Sequence, residues 1–182
     1  MLWQLPMAGT IVVNIVGWVV IHVGLAWALT QIGVARFNPW GWLFHPRAFE
    51  RGGRLYADLL GVHRWKKLLP DGAALFRRGF RKKRFTSRRP EYLERFARET
   101  CRGELVHWLV MAMAPLFFLW NEPVVGLLMI LYAAVASVPF IVVQRYNRAR
   151  LLSLLGARRV QSRPATVSGA PHTGQHHLIP DS

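Results

Sequence analysis

Two side chains of the segment RGELVHW, residues 102–108, have the types and the spacing for acid–base chemistry. Glu104 and His107 are three residues apart, which places a carboxylate and an imidazole on one face of a helix. A positioned imidazole can take a proton from a reacting hydroxyl. The same pair can instead be the polar start of a helix that enters lipid, because the residues after it are mostly apolar. The pair alone leaves both interpretations open.

Two further polar segments, HRWKKLLPDG at 63–72 and QRYNRAR at 144–150, contain residue types that bind substrates. Their candidate members are Trp65, Lys66 and Asp71 in the first and Gln144, Arg145, Tyr146, Asn147 and Arg148 in the second. A turn built on Pro-Asp-Gly would explain the first segment without any site. Anchoring to anionic lipid would explain the arginines of the second. Lipid anchoring would not, however, require the amides of Gln144 and Asn147 and the phenol of Tyr146 beside those arginines.

The elements that position these residues are predicted from the separation of charge and hydrophobicity along the chain. The 182 residues carry a formal net charge of +15, yet 52 % of them are apolar. Residues 1–35 contain no Asp, Glu, Lys or Arg, and Glu122 is the one such residue in 105–144. Between them, residues 36–103 contain 18 Lys and Arg against 6 Asp and Glu. A soluble basic protein spreads its charge over its surface, so this separation indicates an integral membrane protein.

We therefore predict an all-α integral membrane protein with a single membrane domain over residues 1–160. A transmembrane helix needs about 20 mostly apolar residues, and we place three of them at about 7–31, 105–120 and 124–143. Asn-Glu-Pro at 121–123 is the expected turn between the last two. The first helix is expected to remain uncleaved, because its start lacks the Lys and Arg of a signal peptide.

The basic middle of the chain, residues 36–103, mixes aromatic and cationic side chains, as is typical of the headgroup layer. We expect it to form an interfacial region with short helices on the cytoplasmic side, where Lys and Arg are favoured. The protein is then a multi-pass protein of the cell membrane, with its N-terminus outside and its C-terminus in the cytoplasm. The tail 161–182 lacks periodicity and is predicted to be disordered.

Two other patterns, a polybasic run and a group of histidines near the C-terminus, could indicate a nucleic-acid site and a metal site. The polybasic run RRGFRKKRF at 77–85 could bind nucleic acid through its charge. Beside a membrane it more simply binds anionic lipid, so we predict that partner and no nucleic acid. His172, His176 and His177 have no carboxylate cluster near them, and we predict neither a metal site nor a cofactor.

Several segments together resemble the glycosyl-4,4'-diaponeurosporenoate acyltransferase family, which acts late in the synthesis of the carotenoid pigment staphyloxanthin. They are RWKKLLPDG, RGELVHW, YAAVASVP and VVQRYNRARL, in that order. The resemblance runs from roughly Phe49 to Leu151 and includes Glu50 and Gly53; it departs at Ala149, where the family commonly has Pro. It implies a small membrane enzyme that esterifies a sugar hydroxyl of a glycosylated carotenoid, or of a similar glycolipid, with a fatty acyl chain.

Acyl transfer to a hydroxyl needs a base and donors that stabilise the oxyanion. We predict His107 as the base, with Glu104 or Asp71 fixing its tautomer. The donors, or the ligands of phosphate groups on the acyl donor, are expected among Arg145, Asn147 and Lys66.

Trp65, Gln144, Tyr146 and Arg148 complete the predicted substrate-binding set. The acyl donor is expected to be acyl-CoA or an acyl carrier, which a basic cytoplasmic face would attract. No Ser or Cys lies in a context that suggests a covalent nucleophile, so direct transfer is favoured. The alternative is a non-catalytic membrane scaffold or an anionic-lipid-binding protein.

Overall fold

The protein is described by a computed structural model over residues 6–69 and 89–161, with side chains through residue 157. Its helices are α1 (Met7–Gln31), α2 (Arg54–Asp58), α3 (Val62–Trp65), α4 (Pro90–Met113) and α5 (Pro123–Gln161). Turns of 3₁₀-helix cover Val34–Arg36, Ala48–Gly53 and Ala114–Leu119. The described residues contain no strand, which confirms the all-α prediction.

Three of the helical segments are long and apolar enough to cross a membrane: Met7–Gln31, Pro90–Leu119 and Pro123–Ala157. The first has the predicted bounds, whereas the other two overlap the predicted spans but extend beyond them, by 15 residues at the start of the second and by 14 residues at the end of the third. The helix through Pro90 is continuous into the second span, because Gly103 alone is too weak a helix breaker to interrupt it. The predicted membrane domain, the disordered tail and the orientation of the termini stay predictions, and residues 162–182 lie outside the described range.

Proline residues set the boundaries of α4. Pro90 occupies the first turn, where its missing N–H costs no hydrogen bond, and Glu91 lies at the positive end of the helix. At the other end Pro115 cannot donate an intrahelical bond, and the chain continues as the 3₁₀ segment Ala114–Leu119. A short turn then leads to Pro123, the first residue of α5.

The apolar core of the bundle forms around Trp18 of α1. Its ring stacks on Phe117 with 4.4 Å between the centroids, and its indole nitrogen lies 3.3 Å from the Met129 sulfur of α5. A Cβ added to Gly17 would lie 3.3 Å from the Phe117 ring. The small residue therefore lets α1 approach the α4–α5 hairpin closely.

The start of α1 is held at the hairpin turn by two asparagines. Asn14 and Asn121 donate to each other's amide oxygen at 3.0 and 2.8 Å, and Trp120 donates to Asn14 at 2.8 Å. Since polar side chains in an apolar bundle find few other partners, these bonds fix the register of α1 against the hairpin. The opposite end of α1 then lies beside the middle of α4, where Ile32 packs against the cluster that contains Cys101.

Residues 33–69 cover that opposite end of the bundle and are called the cap from here on. Phe37 and Phe44 pack with Cys101 of α4. Arg98 donates to the carbonyl oxygens of Ala35 and Phe37 at 2.8 and 3.2 Å. The cap thus brings its own polar residues against α4 and α5, at the end of the bundle where the polar segments of both helices lie.

Candidate active site

Four charged side chains meet under the cap and are called the buried ion network: Glu50, Glu104, Arg145 and Arg148. Glu104 of α4 accepts from Arg145 Nη1 at 3.0 Å and from Arg148 Nη2 at 2.5 Å. Glu50, from the cap, accepts from Arg145 Nε at 3.0 Å and also pairs with Arg145 Nη2. The network therefore contains two carboxylates and two guanidinium groups, and its charges balance.

Three of the four side chains of the network are shielded from water, and the fourth, that of Arg145, is 16 % exposed. The exposed fraction is 0 % for Glu50 and Arg148 and 1 % for Glu104. Desolvating charges is costly, and their mutual attraction compensates only when the geometry is good and further hydrogen bonds are made. Arg148 makes one such bond, from Nε to the Phe44 carbonyl oxygen at 2.7 Å, and its guanidinium lies 5.7 Å from the Phe44 ring centroid. The network consequently ties the cap to both long helices.

The backbone that presents Glu50 requires glycine. Arg51, Gly52 and Gly53 have φ values of 48°, 64° and 92°, in the left-handed region that glycine adopts without steric cost. A Cβ on Gly53 would also lie 3.3 Å from the Tyr146 carbonyl oxygen. Gly53 therefore allows this turn to lie directly on α5, which brings the Glu50 carboxylate within reach of the network.

Tyr56 of α2 completes the surroundings of Arg145. Its hydroxyl oxygen accepts from Arg145 Nε at 3.3 Å. Burial raises the pKa of Tyr56 above its ordinary value of 10.0, while the hydrogen bond with Arg145 acts in the opposite direction. The phenol is therefore protonated at neutral pH. Together Glu50, Glu104 and Tyr56 provide acceptors for all three nitrogens of the Arg145 guanidinium.

His107 lies one helical turn beyond Glu104 on α4 and is partly buried. Its ring stacks on Phe140 of α5, with 4.6 Å between the centroids and 17° between the planes. Both oxygens of Glu104 accept hydrogen bonds from the arginines of the network, and Trp108 Nε1 donates to one of them at 3.2 Å. The main hydrogen-bond partners of the Glu104 carboxylate are therefore the two arginines. Its action on the His107 tautomer stays a prediction.

A second set of cationic side chains, Lys66 and Arg150, lies on the cap side of α5 and is called the second cationic group. Lys66 Nζ is 3.4 Å from Asn147 Oδ1 and 4.8 Å from the centroid of the Tyr146 ring. Arg150 Nη1 donates to the Tyr146 hydroxyl at 2.9 Å. Burial lowers the pKa of Lys66 below its usual 10.5, and the neighbouring charges of Arg150 and Lys67 lower it further.

The α5 helix connects His107 with this cationic group. Phe140, Gln144 and Asn147 are spaced by four and three residues and so share one face of the helix. With a rise of 1.5 Å per residue, the seven residues from Phe140 to Asn147 span about 10 Å. His107 lies at one end of this face and Lys66 at the other, with the Gln144 amide between them.

All the predicted site residues that the structure describes lie at the capped end of the bundle. Trp65 contributes through the cap itself: its Nε1 donates to the Leu60 carbonyl oxygen at 2.7 Å and its ring packs near Tyr146. Asp71 lies outside the described residues. The catalytic and substrate-binding roles of the set stay predictions.

Glu50 and Tyr56 belong to the site geometry but are absent from the residues predicted to form it. Glu50 is among the positions that carry the resemblance to the family, and it closely precedes the Gly52-Gly53 pair in a basic, aromatic segment. A lone carboxylate in such a segment is a usable signal for a buried ion pair. Tyr56 has no comparable signal, because its role depends on a contact with Arg145 that is 89 residues away in the chain.

Over residues 6–69 and 89–161, no group of three or more His, Cys, Asp or Glu side chains is arranged to hold a metal ion. The side chains that the structure places at this end of the bundle include the His107 imidazole, the Asn147 amide, the Tyr56 phenol and the Lys66 ammonium group. These groups can move a proton and stabilise a developing oxyanion.

Comparison with known proteins identifies relatives across most of the chain. The family model described as glycosyl-4,4'-diaponeurosporenoate acyltransferase matches residues 41–157. The protein of that name from Staphylococcus aureus strain MRSA252 is 32 % identical over 139 residues, which cover 76 % of this chain and 83 % of the relative. The protein from strain N315 is 30 % identical over 138 residues, with the same coverage. No solved structure matches.

Proposed function

The chain belongs to the glycosyl-4,4'-diaponeurosporenoate acyltransferase family, and from this premise we propose that it esterifies a sugar hydroxyl of a glycosylated carotenoid with a fatty acyl chain. Membership makes it an acyltransferase of carotenoid biosynthesis. It also decides in favour of an enzyme over the scaffold or lipid-binding protein that the sequence patterns left open. The relatives' name contains a glycosylated carotenoid acid, which supports an acceptor of that class.

The observation that carries the proposal is the buried ion network beside His107. Ionisable residues inside membrane bundles are costly and are retained mainly where they serve a function. A protein that only binds lipid headgroups needs exposed cations, whereas Arg148 is fully buried and bonded to Glu104. Such a network supports a rigid framework around an imidazole, which is what a reaction with strict geometry needs.

In the proposed reaction His107 acts as the general base. Its neutral ring nitrogen takes the proton of the sugar hydroxyl while the hydroxyl oxygen attacks the carbonyl carbon of an acyl thioester. The tetrahedral intermediate then collapses, the carbon–sulfur bond breaks and the leaving thiolate receives the proton from the imidazolium. The products are an ester and a free thiol, so no covalent acyl-enzyme is required.

The other polar groups divide into those that hold the site and those that contact the substrate. Arg145 and Arg148 hold it, because all three guanidinium nitrogens of Arg145 and two of the three of Arg148, Nε and Nη2, donate to acceptors of the protein. Lys66, Asn147 and Gln144 share the side of α5 that leads from His107 and are assigned to the substrate, with the oxyanion stabilised by an N–H donor of this group. Glu104 supports the reaction by keeping both arginines in place.

The expected location of the reaction is the cytoplasmic leaflet of the cell membrane. Exposed apolar residues of the cap, including Trp42, Leu59 and Leu68, suit the headgroup layer, where anionic lipid would meet the basic chain. An acceptor in the leaflet would present its sugar at that depth while its polyene remains in the hydrocarbon. An acyl-CoA or acyl carrier would reach the same depth from the cytosol.

The test replaces His107 in the full-length protein in its membrane. We expect His107→Ala to reduce ester formation by at least about 100-fold, the contribution usual for general-base catalysis. Lipid extracts of cells that make the glycosylated carotenoid would be compared by mass spectrometry for the acyl ester. The matched control is His45→Ala, because His45 is exposed on the cap. Near-normal ester formation by a properly inserted His107→Ala protein would remove His107 from the mechanism.

A second pair of variants examines the supporting network. Arg148 binds a carbonyl oxygen and a carboxylate through different nitrogens of one planar fork, a geometry that Lys cannot reproduce. Arg148→Lys is therefore expected to lose ester formation although the charge is kept. A protein that needs only positive charge at this position would tolerate the change.

A further inference from the structure

Among the residues that the structure describes, two cations of the capped end differ from the arginines of the buried ion network in having no carboxylate partner. Lys66 and Arg150 both lie against the ring of Tyr146, at 4.8 and 5.7 Å from its centroid. The ion pairs of the described residues involve Arg98, Arg102 and the two network arginines, but neither of these cations. The fold thus holds two positive charges at one buried tyrosine.

In residues 6–69 and 89–157, the surroundings of the two cations add no anion. Within the described residues, Lys66 Nζ contacts the Asn147 amide oxygen and the Tyr146 ring, and the Arg150 guanidinium contacts the hydroxyl and the ring of the same tyrosine. Lys66 is partly buried and Arg150 is exposed, so the pair opens to solvent on one side. Burial and the charge of Arg150 both lower the pKa of Lys66. An anion that bound between them would relieve this repulsion.

We propose that Lys66 and Arg150 form a phosphate subsite, and that the phosphate it binds belongs to the pantetheine arm of the acyl-thioester donor. An ammonium group and a guanidinium group are the two side chains that bind phosphate most often, one as a point charge and the other as a fork. The assignment of the phosphate to the donor rests on the proposed acyltransfer at His107. The subsite itself rests only on the paired cations.

The spacing along α5 agrees with this assignment. His107 stacks on Phe140, and the ten residues from Phe140 to Arg150 correspond to about 15 Å along the helix axis. An extended pantetheine arm, which separates the thioester from the first phosphate, can bridge that distance. The acyl chain would then continue past His107 toward the apolar part of α4 and α5, in the direction of the membrane interior.

The first measurement is binding without turnover. A non-hydrolysable thioether analogue of palmitoyl-CoA would be titrated into the full-length protein in nanodiscs of neutral phosphatidylcholine. Loss of one charge-assisted contact should weaken binding about tenfold in Lys66→Gln and in Arg150→Gln. Arg64→Gln is the matched control, because it removes an exposed cation of α3 two residues before Lys66. Lys66→Arg keeps the charge and should retain most of the affinity.

The second measurement separates the donor's phosphate from a lipid headgroup. The same nanodiscs would be used to compare kcat/KM for palmitoyl-CoA and for palmitoyl-pantetheine, which lacks the phosphates. The preference of the wild-type protein for the CoA donor should fall about tenfold in both Gln variants. If the preference is unchanged and the variants instead alter the response to added phosphatidylglycerol, the subsite binds a headgroup and the donor assignment is wrong.

The two experiments also keep this inference separate from the proposed function. If the thioether binds and requires Lys66 and Arg150, but no ester forms with any glycosylated carotenoid, the subsite stands and the proposed reaction fails. If esters form and neither Gln variant changes donor affinity or preference, the reaction stands and the subsite is overturned. A thermal melt of each variant, followed by the reaction of the buried thiol of Cys101 with a dye, tests whether a lost affinity arises from unfolding. An unchanged melting temperature excludes that cause.

Discussion

The buried ion network makes a quantitative prediction about Glu104. Replacing Glu104 by Gln keeps the shape of the side chain but removes the carboxylate that both Arg145 and Arg148 contact. Arg148 then stays fully buried without a carboxylate to balance its charge, while its bond to the Phe44 carbonyl oxygen is kept. Removing one partner of a buried ion pair costs about 3–5 kcal/mol, because the remaining charge is not compensated. For a chain of this length that corresponds to a melting temperature lower by roughly 6–20 °C.

The chain offers its own reporter for this measurement. Cys101 is its single cysteine, and it is buried where α4 packs against Phe37 and Phe44 of the cap. A dye that becomes fluorescent on reaction with thiols therefore reports the opening of the capped end when the detergent-solubilised protein is heated. The control is Glu94→Gln on the same helix, since the Glu94–Arg98 pair is 39 % and 25 % exposed at its side chains. An exposed pair of this kind contributes at most about 1 kcal/mol, and the control should melt within about 4 °C of the wild type.

A double variant tests whether charge balance is the cause. Arg148→Met leaves the network with one excess negative charge, and Glu104→Gln leaves it with one excess positive charge. Combining the two restores neutrality and fills the volume of Arg148 with an apolar side chain, an exchange that buried ion pairs often tolerate. The double variant should therefore melt above Glu104→Gln alone. The reasoning is refuted if Glu104→Gln melts no lower than Glu94→Gln, or if the two effects of the double variant simply add.

Two further predictions concern the cap. Gly53→Ala should destabilise the protein by about 1–3 kcal/mol in the same thermal melt, because Gly53 has a φ of 92° and a Cβ would meet the Tyr146 carbonyl oxygen. The control is Gly33→Ala, since Gly33 has a φ of −56° and open space around it. An equal loss of stability in both variants would contradict the close approach of Gly53 to α5. Lys66 is expected to titrate below 10.5, since burial and the charges of Arg150 and Lys67 lower its pKa and the Asn147 amide and the Tyr146 ring supply no negative charge. Between the folded and unfolded pKa values the unfolded chain binds more protons, so the free energy of unfolding should increase with pH through that window and Lys66→Met should lose the increase. NMR of ¹³C-methylated lysines measures the pKa directly; it should rise in Arg150→Gln, and a value at or above 10.5 in the wild type would contradict the burial of Lys66.

The positions of the membrane helices followed from local properties of the sequence. An uncharged run such as residues 7–31 can be stable in lipid only as a helix, because every backbone N–H and C=O must be bonded within the segment. The same reasoning places a turn at the polar residues 121–122 between two apolar runs. It does not predict where a helix ends once it leaves the apolar region. Helical propensity alone allows α4 to begin at Pro90 and α5 to continue to Gln161.

The sequence by itself also determined that polar residues of separate segments share one end of the bundle, because the direction of each helix follows from the order of the spans. The tertiary structure decided which of them meet. Local spacing put Glu104 on a face with His107, yet its carboxylate is bonded to arginines 41 and 44 residues away. Glu50 reaches Arg145 across 95 residues through a left-handed turn at Gly52 and Gly53. Ion pairs between distant segments depend on the approach of backbones, and helical periodicity carries no information about that approach.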